Sequence, residues 1–351
     1  MSSPHLSRPV PVVVASGVPY VRGANRFQTL NVYLPATSDT SALIGTPVTG
    51  LPGLERGPEP GAQPDPPRYL VHVHGGAWRD PHLNARSVEP TVAHAFTGTT
   101  SATPALLGVV SLNYTLSPFP THPTEPHDPA TGPHRDPARE AVHPGHVGDV
   151  LHGLDLLRSL GLTGGSYLLS GHSAGACIAA QAVLQSPAHH GITTVGEVPR
   201  PAALLGLNGL YDLPGLIDGL GPSHEHLRGE YEMLLGQAFG VDQSRWPAAS
   251  PALFDPGVVT GRVQAGRAPR LVVLDQSSQD QLVPLNQLER LTTNLRRVSG
   301  LRVVRGHRCT GRHAVPWEDG LMMWEGVADT LQLLQQPGSA VPVAAPTWEH
   351  P

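Results

Sequence analysis

The chain is poor in cysteine. It has Cys177 and Cys309 in 351 residues, too few for a disulfide framework and too few to close a zinc site by themselves. That usage suits a reducing compartment, and a cytoplasmic location is the expectation. A strong charge balance is missing as well. The net charge is −5, and the basic residues are scattered with no block among them, which argues against nucleic acid as a partner. No apolar run approaches the ~18 residues of a membrane span. The N-terminus shows no basic stretch leading into an apolar one. The expected partner is therefore a small-molecule substrate, with no membrane and no nucleic acid; a homodimer is compatible with the sequence.

Glycine and proline are abundant, at 39 and 38 residues. So many helix and strand breakers require long loops. Two stretches collect them, about 36–67 and 118–143, and both read as surface insertions in a single domain over 1–336. Residues 337–351 read as a disordered tail.

Between these stretches the hydrophobic period alternates. Short apolar runs at 10–15, 27–34, 69–73, 106–114, 167–169, 202–207, 270–274 and 301–304 read as strands. Residues 84–97 read as a helix. Val147, Val150, Leu151, Leu154, Leu157 and Leu160 fall three or four apart and predict a helix over 145–160. Further helices are expected over 174–184, from Val283-Pro284 onward, and from Pro316 to about Leu334, with proline at the first helical position where it is tolerated. Residues 211–250 read as a small lid. Strands alternating with helices predict a mostly parallel sheet covered on both faces, with the chemistry at the carboxyl ends of its strands.

Gly171-His172-Ser173-Ala174-Gly175 matches G-x-S-x-G. The pentapeptide alone is a loose pattern, and a glycine-rich loop with an ordinary serine would also satisfy it. Here an apolar strand enters it and a small-residue helix leaves it, the setting of a nucleophile elbow. Side chains at 171 and 175 would collide in so sharp a turn, hence the glycines. About a hundred residues earlier, His74-Gly75-Gly76-Ala77-Trp78 follows a strand. Glycines there let backbone N–H groups approach a developing oxyanion, and the predicted donors are Gly75, Gly76 and Ala174.

A nucleophilic serine needs a base and an acid to orient it. Asp275 and Asp280 compete for the acid. Asp280 is preferred because it lies on the loop beyond the strand, whereas Asp275 at the strand end is placed to bond local backbone. His307 and His313 compete for the base. His313 is preferred because a turn into a helix follows it and Gly311 leaves room beside it. The histidines of the proline-rich stretches (His122, His127, His134, His143 and His146) show no metal-ligand spacing, and the predicted chemistry needs neither metal nor organic cofactor.

These motifs, with Ser111-Leu112-Asn113-Tyr114-Thr115-Leu116-Ser117-Pro118, resemble the esterase/lipase branch of the α/β-hydrolases. Gly209-Leu210-Tyr211-Asp212-Leu213, Ala238-Phe239-Gly240 with Trp246, and Gly311-Arg312-His313 narrow the resemblance to the kynurenine formamidases (arylformamidases) of the fungal type, over most of 68–335. The resemblance implies hydrolysis of N-formyl-L-kynurenine to L-kynurenine and formate by Ser173, Asp280 and His313. A broad carboxylesterase would use the same residues, and a non-catalytic hydrolase-fold module is the remaining alternative. The arylamine product calls for a flat apolar slot, for which Trp78 and Tyr211 are the first candidates and Trp246 and Trp317 the next.

Overall fold

A computed structural model describes residues 12–54, 68–97, 106–132 and 134–336. Eight strands form one sheet: β1 (Val12–Pro19), β2 (Thr29–Pro35), β3 (Tyr69–Val73), β4 (Gly108–Leu112), β5 (Tyr167–His172), β6 (Ala203–Leu207), β7 (Leu271–Asp275) and β8 (Arg302–Arg305). Their order is β1-β2-β4-β3-β5-β6-β7-β8. The pairs β1–β2 and β2–β4 are antiparallel, and the rest are parallel. With the helices around it, this is the α/β-hydrolase fold.

The main helices are α1 (Glu89–Thr97), α2 (Gly145–Ser159), α3 (Ala174–Leu184), α4 (Leu213–Asp218), α5 (Arg228–Phe239), α6 (Pro256–Gln264), α7 (Asn286–Leu295) and α8 (Leu321–Gln335). Every residue of β3 to β7 is buried, which explains why these strands read as unbroken apolar runs rather than alternating ones. Successive side chains serve opposite faces. Val71, Val110, Leu169 and Leu274 join the core that includes α2 and α3. Leu70, Val109, Leu168 and Val273 join the core beneath α1 and α8. The three-and-four spacing in α2 is realised as a fully buried stripe of Val147, Val150, Leu151, Leu154 and Leu157.

Two helix starts differ from the sequence expectation. The stretch at Val283-Pro284 is a turn, and α7 begins only at Asn286. The reason is local: Asp280 Oδ1 accepts the N–H groups of both Leu282 and Val283, at 2.9 Å each, which pulls the chain into a side-chain-capped turn. The last helix is likewise not continuous from Pro316. A single turn at Val315–Glu318 precedes α8, and Gly320 between them adopts φ 73°. A Cβ there would lie 2.2 Å from the backbone nitrogen of Thr91, so the break follows from close packing onto α1.

The first proline-rich stretch is described only to residue 54; there it holds a short helical turn at Ser38–Ser41 and the buried Leu51. Residues 55–67 and the expected tail at 337–351 lie outside the described residues. The second stretch is packed rather than loose. Phe119 bridges His127, and His127 and Arg135 both bond Glu140. Ser117 N–H donates to the Trp78 carbonyl at 2.8 Å, so this segment buttresses one side of the 74–78 loop. Among the described residues, no helix is long and apolar enough to cross a membrane.

Candidate active site

The carboxyl ends of β3, β5, β7 and β8 deliver the candidate residues to one edge of the sheet. Ser173 sits between β5 and α3 with φ 54° and ψ −124°. This is a region that L-residues avoid at a cost of about 1–3 kcal/mol. The surroundings leave no room for relaxation: a Cβ on Gly171 would lie 2.4 Å from the Gly175 carbonyl oxygen, and one on Gly175 would lie 2.2 Å from that of Val73. The strand–turn–helix therefore presents the serine side chain on a sharp bend, 5% exposed. Among the described residues its hydroxyl has no hydrogen-bond partner, His313 included.

The loop after β3 coils left-handedly through Gly76 (φ 96°), Ala77 (48°) and Trp78 (61°). Gly75 lies against the nucleophile, since a Cβ there would be 3.2 Å from Ser173 Cβ and 2.9 Å from His172 Nδ1. Among the described residues, the N–H groups of Gly75, Gly76 and Ala174 donate to no protein acceptor, so all three are free to serve an oxyanion. The opposite side of the loop is anchored. Tyr114 donates to the Gly75 carbonyl at 2.8 Å and stacks on the His74 ring at 4.5 Å. His74 Nδ1 also bonds the Gly75 carbonyl, at 2.9 Å. The carbonyl is held back, and the peptide N–H groups face the other way.

The structure joins Asp280 and His313. Asp280 Oδ2 lies 2.7 Å from His313 Nδ1, and the carboxylate side chain is 1% exposed. With its other oxygen taking two backbone N–H groups, this carboxylate has a full set of donors and is held in one orientation. The rejected pair lies elsewhere. Asp275 accepts the N–H groups of Arg308 at 2.7 Å and Cys309 at 3.3 Å; burial pushes its carboxyl above the usual range. His307 is exposed.

Several residues that position the histidine went unnoticed in the sequence. The His313 carbonyl accepts from His172 Nε2 at 3.0 Å and from Asn208 Nδ2 at 3.1 Å. Burial drives the His172 ring far below its ordinary pKa, so it stays neutral and donates through Nε2. Asn208 sits left-handed at φ 46° and accepts the Ser277 N–H at 3.0 Å, thereby tying the acid loop to the histidine loop. Ser277, Gln279 and Gln281 alternate with Asp280 along the chain and hold the 311–313 backbone, at 2.7, 3.1 and 2.9 Å. The polar, alternating character of Ser277-Ser278-Gln279-Asp280-Gln281 was the one signal available.

Helix α5 packs against the end of the 74–79 loop. Phe239 meets Trp78 edge-on at 5.0 Å, and Arg79 bonds Glu230 and Gln237. Just before the helix, His224 Nε2 donates to the Asp280 carbonyl at 3.0 Å. The segment from His224 to Phe239 is thus tied to the 74–79 loop and to the loop of Asp280.

Trp78 and Tyr211, expected to form an aromatic slot, are corrected to packing residues. They are 0% and 1% exposed. A Cβ on Gly206 would lie 2.1 Å from the Tyr211 hydroxyl oxygen, and one on Gly209 would lie 2.2 Å from its ring, so the phenol end is enclosed by backbone. Trp246 is also buried, donating to the Gly240 carbonyl, and Trp317 packs against the core beneath α8. One histidine cluster was also missed: Asp80, His82 and His122 bring ligand-type atoms within 4.8 Å of one another. His122 Nδ1, however, accepts the N–H groups of Thr124 and Glu125. A neutral ring then carries its proton on Nε2, the atom that faces Asp80 at 3.7 Å and that a metal would need bare.

No family model matches the chain. It is similar to the kynurenine formamidase-like hydrolase of Fusarium equiseti, 29% identical over 324 residues that cover 91% of this chain and 95% of that one. It is similar also to the kynurenine formamidase of Aspergillus versicolor, 29% identical over 242 residues, 65% and 76% of the two chains. Among solved structures, esterase B of Lactobacillus rhamnosus superposes with a TM-score of 0.59 at 15% identity, covering 93% of this chain and 88% of its own. A bacterial esterase of the hormone-sensitive lipase family gives 0.56 at 16% identity, covering 93% and 85%.

Proposed function

We propose that this α/β-hydrolase, similar along most of its length to kynurenine formamidases, is a serine hydrolase that cleaves N-formyl-L-kynurenine to L-kynurenine and formate. The observation that carries the chemistry is the strained Ser173 turn, whose His172 ring donates to the His313 carbonyl at 3.0 Å, together with His313 Nδ1 at 2.7 Å from a buried carboxylate. The similarity to the Fusarium and Aspergillus relatives supports the substrate.

In this reading Ser173 Oγ attacks the formyl carbon while His313 Nε2 takes its proton. Asp280 fixes the ring tautomer and stabilises the imidazolium. The N–H groups of Gly75, Gly76 and Ala174 receive the oxyanion, a loss of one such donor typically costing about 3 kcal/mol of barrier. His313 then passes its proton to the arylamine nitrogen as the C–N bond breaks. A water, deprotonated by the same imidazole, attacks the formyl ester, and formate leaves with Ser173 restored. The Ser173 hydroxyl, without a partner among the described residues, engages the imidazole when substrate binds; such bonds are often long before the complex forms.

A formyl group has no acyl chain to accommodate, which suits the close approach of Gly75 to Ser173. The test is a side-by-side comparison of N-formylkynurenine with acetyl and butyryl nitrophenyl esters. A kcat/KM on the formamide at least tenfold above that on the esters is expected. A preference for the longer acyl esters would make the protein a carboxylesterase instead, and failure of a fluorophosphonate to label Ser173 would remove the enzymatic reading altogether.

A further inference from the structure

N-formyl-L-kynurenine carries, at the end remote from the formyl group, a carboxylate and an ammonium on one carbon. A site for it needs a cation and an anion side by side, close to the leaving-group side of the nucleophile. Arg79 and Glu230 are a cation and an anion in direct contact, one just beyond Gly75 and Gly76 in the chain and the other on α5. Arg79 directly follows the oxyanion-side loop and is tied back to it through its N–H to the Gly76 carbonyl, at 2.9 Å. Its side chain is 3% exposed, whereas that of Glu230 is 43% exposed. Glu230 stands on α5, whose Phe239 meets Trp78 and whose preceding segment reaches the Asp280 carbonyl through His224.

The guanidinium is not fully used. It bonds Gln237 Oε1 at 3.0 Å and Glu230 Oε1, and its plane lies 3.9 Å over the Phe119 ring. Its Nε, however, is buried with no partner. A buried N–H without an acceptor is costly and uncommon. A guanidinium with a free Nε edge matches a carboxylate by geometry. A guanidinium held this far from water also discriminates more strongly than an exposed one.

We propose that Arg79 and Glu230 form the subsite for the amino-acid end of the substrate, the guanidinium taking the carboxylate and Glu230 the ammonium. In the free protein the two groups neutralise each other; the zwitterion inserts between them, and each keeps an opposite charge throughout. This rests on the formylkynurenine reading of the site. It gives α5 a second task beside packing on the 74–79 loop, because its Glu230 exchanges the guanidinium for the substrate ammonium.

The experiment compares wild type, Arg79→Gln, Arg79→Lys and Glu230→Gln on three formamides: N-formylkynurenine, its decarboxylated analogue N-formylkynuramine, and formanilide, which has neither charge. Arg79→Gln is expected to lose roughly 10- to 100-fold more kcat/KM on N-formylkynurenine than on formanilide, mainly through KM. Arg79→Lys should recover part of that difference. Glu230→Gln, at a half-exposed position that does not endanger folding, should lose selectivity for both ammonium-bearing substrates by roughly tenfold or less. Binding of L-kynurenine to the Ser173→Ala protein, measured by calorimetry, should weaken in step. Equal losses on all three formamides would overturn the proposal and leave Arg79 a strut between lid and loop. A wild type that takes N-formylkynurenine no better than formanilide would overturn the substrate reading, and the subsite with it.

Discussion

At the scale of single residues, the two candidate acids have different surroundings. Asp280 and His313 share a 2.7 Å bond, whereas Asp275 serves the backbone of the loop that leads to His313. Asp280→Asn and His313→Ala should each lower kcat by roughly 10³- to 10⁴-fold, read in a steady-state assay with the folded fraction checked by circular dichroism. Asp275→Asn should cost mostly thermal stability. An equal kinetic collapse in Asp275→Asn would exchange the two acids. Asn208 is the clearest aiming residue, since it bonds the His313 carbonyl and the Ser277 N–H from one side chain. Asn208→Ala should reduce kcat roughly 10- to 100-fold with KM little changed; a kcat within twofold of wild type would show that His172, Gln279 and Gln281 suffice. Ser173, Asp280 and His313 were legible because each belongs to a local pattern of strand end, turn and helix. Asn208 was not, because its role depends on two loops that meet only after the sheet has formed.

Among the elements, those with a strong internal period match their sequence reading. Helix α3 spans Ala174–Leu184, the residues expected, and α2 follows its apolar stripe. The elements that departed did so for a reason outside their own sequence or in a single side chain: the Asp280 turn delays α7, and the press of Gly320 against Pro90 and Thr91 splits the last helix. The 211–250 segment, expected as a lid, is a third case. Its helices could be anticipated but not its anchors, because His224 and Asp280 are 56 residues apart. Removing that anchor in His224→Ala should raise amide exchange across residues 221–239 by about an order of magnitude while β5 and β6 stay protected. Uniform exchange changes, or none, would mean that Phe239 and Arg79 alone hold the lid.

Across the whole molecule, buried histidines contribute to the response to acid. The chain has no lysine, and all 23 of its basic residues other than histidine are arginine. Burial lowers His72 to about 3, His74 to about 4, His143 to about 3, His146 to about 3 and His190 to about 4. An unfolded histidine titrates near ~6.5. Between these values the unfolded chain binds more protons than the folded one, so stability is fully present above about pH 6.5 and falls as the pH drops toward 4. Each such ring contributes at most about 1.4 kcal/mol per pH unit in that window. The melting temperature should therefore decline steeply from pH 6.5 to pH 5 and change little from 7 to 8.5; a flat profile through pH 5 would show that these rings are solvated in solution.

The amino-acid sequence by itself determined the alternation of strands and helices, the strained serine turn and the glycine-rich loop that faces it, because each follows from sterics and hydrophobic period within a few consecutive residues. Tertiary structure alone decided how these parts are held. It sent Trp78 and Tyr211 into the core, tied the acid loop to the histidine loop through Asn208, and set Arg79 under α5 with an unfilled donor. Those outcomes depend on which distant segments compete for the same buried space and the same hydrogen bonds, and that competition exists only once the sheet has assembled.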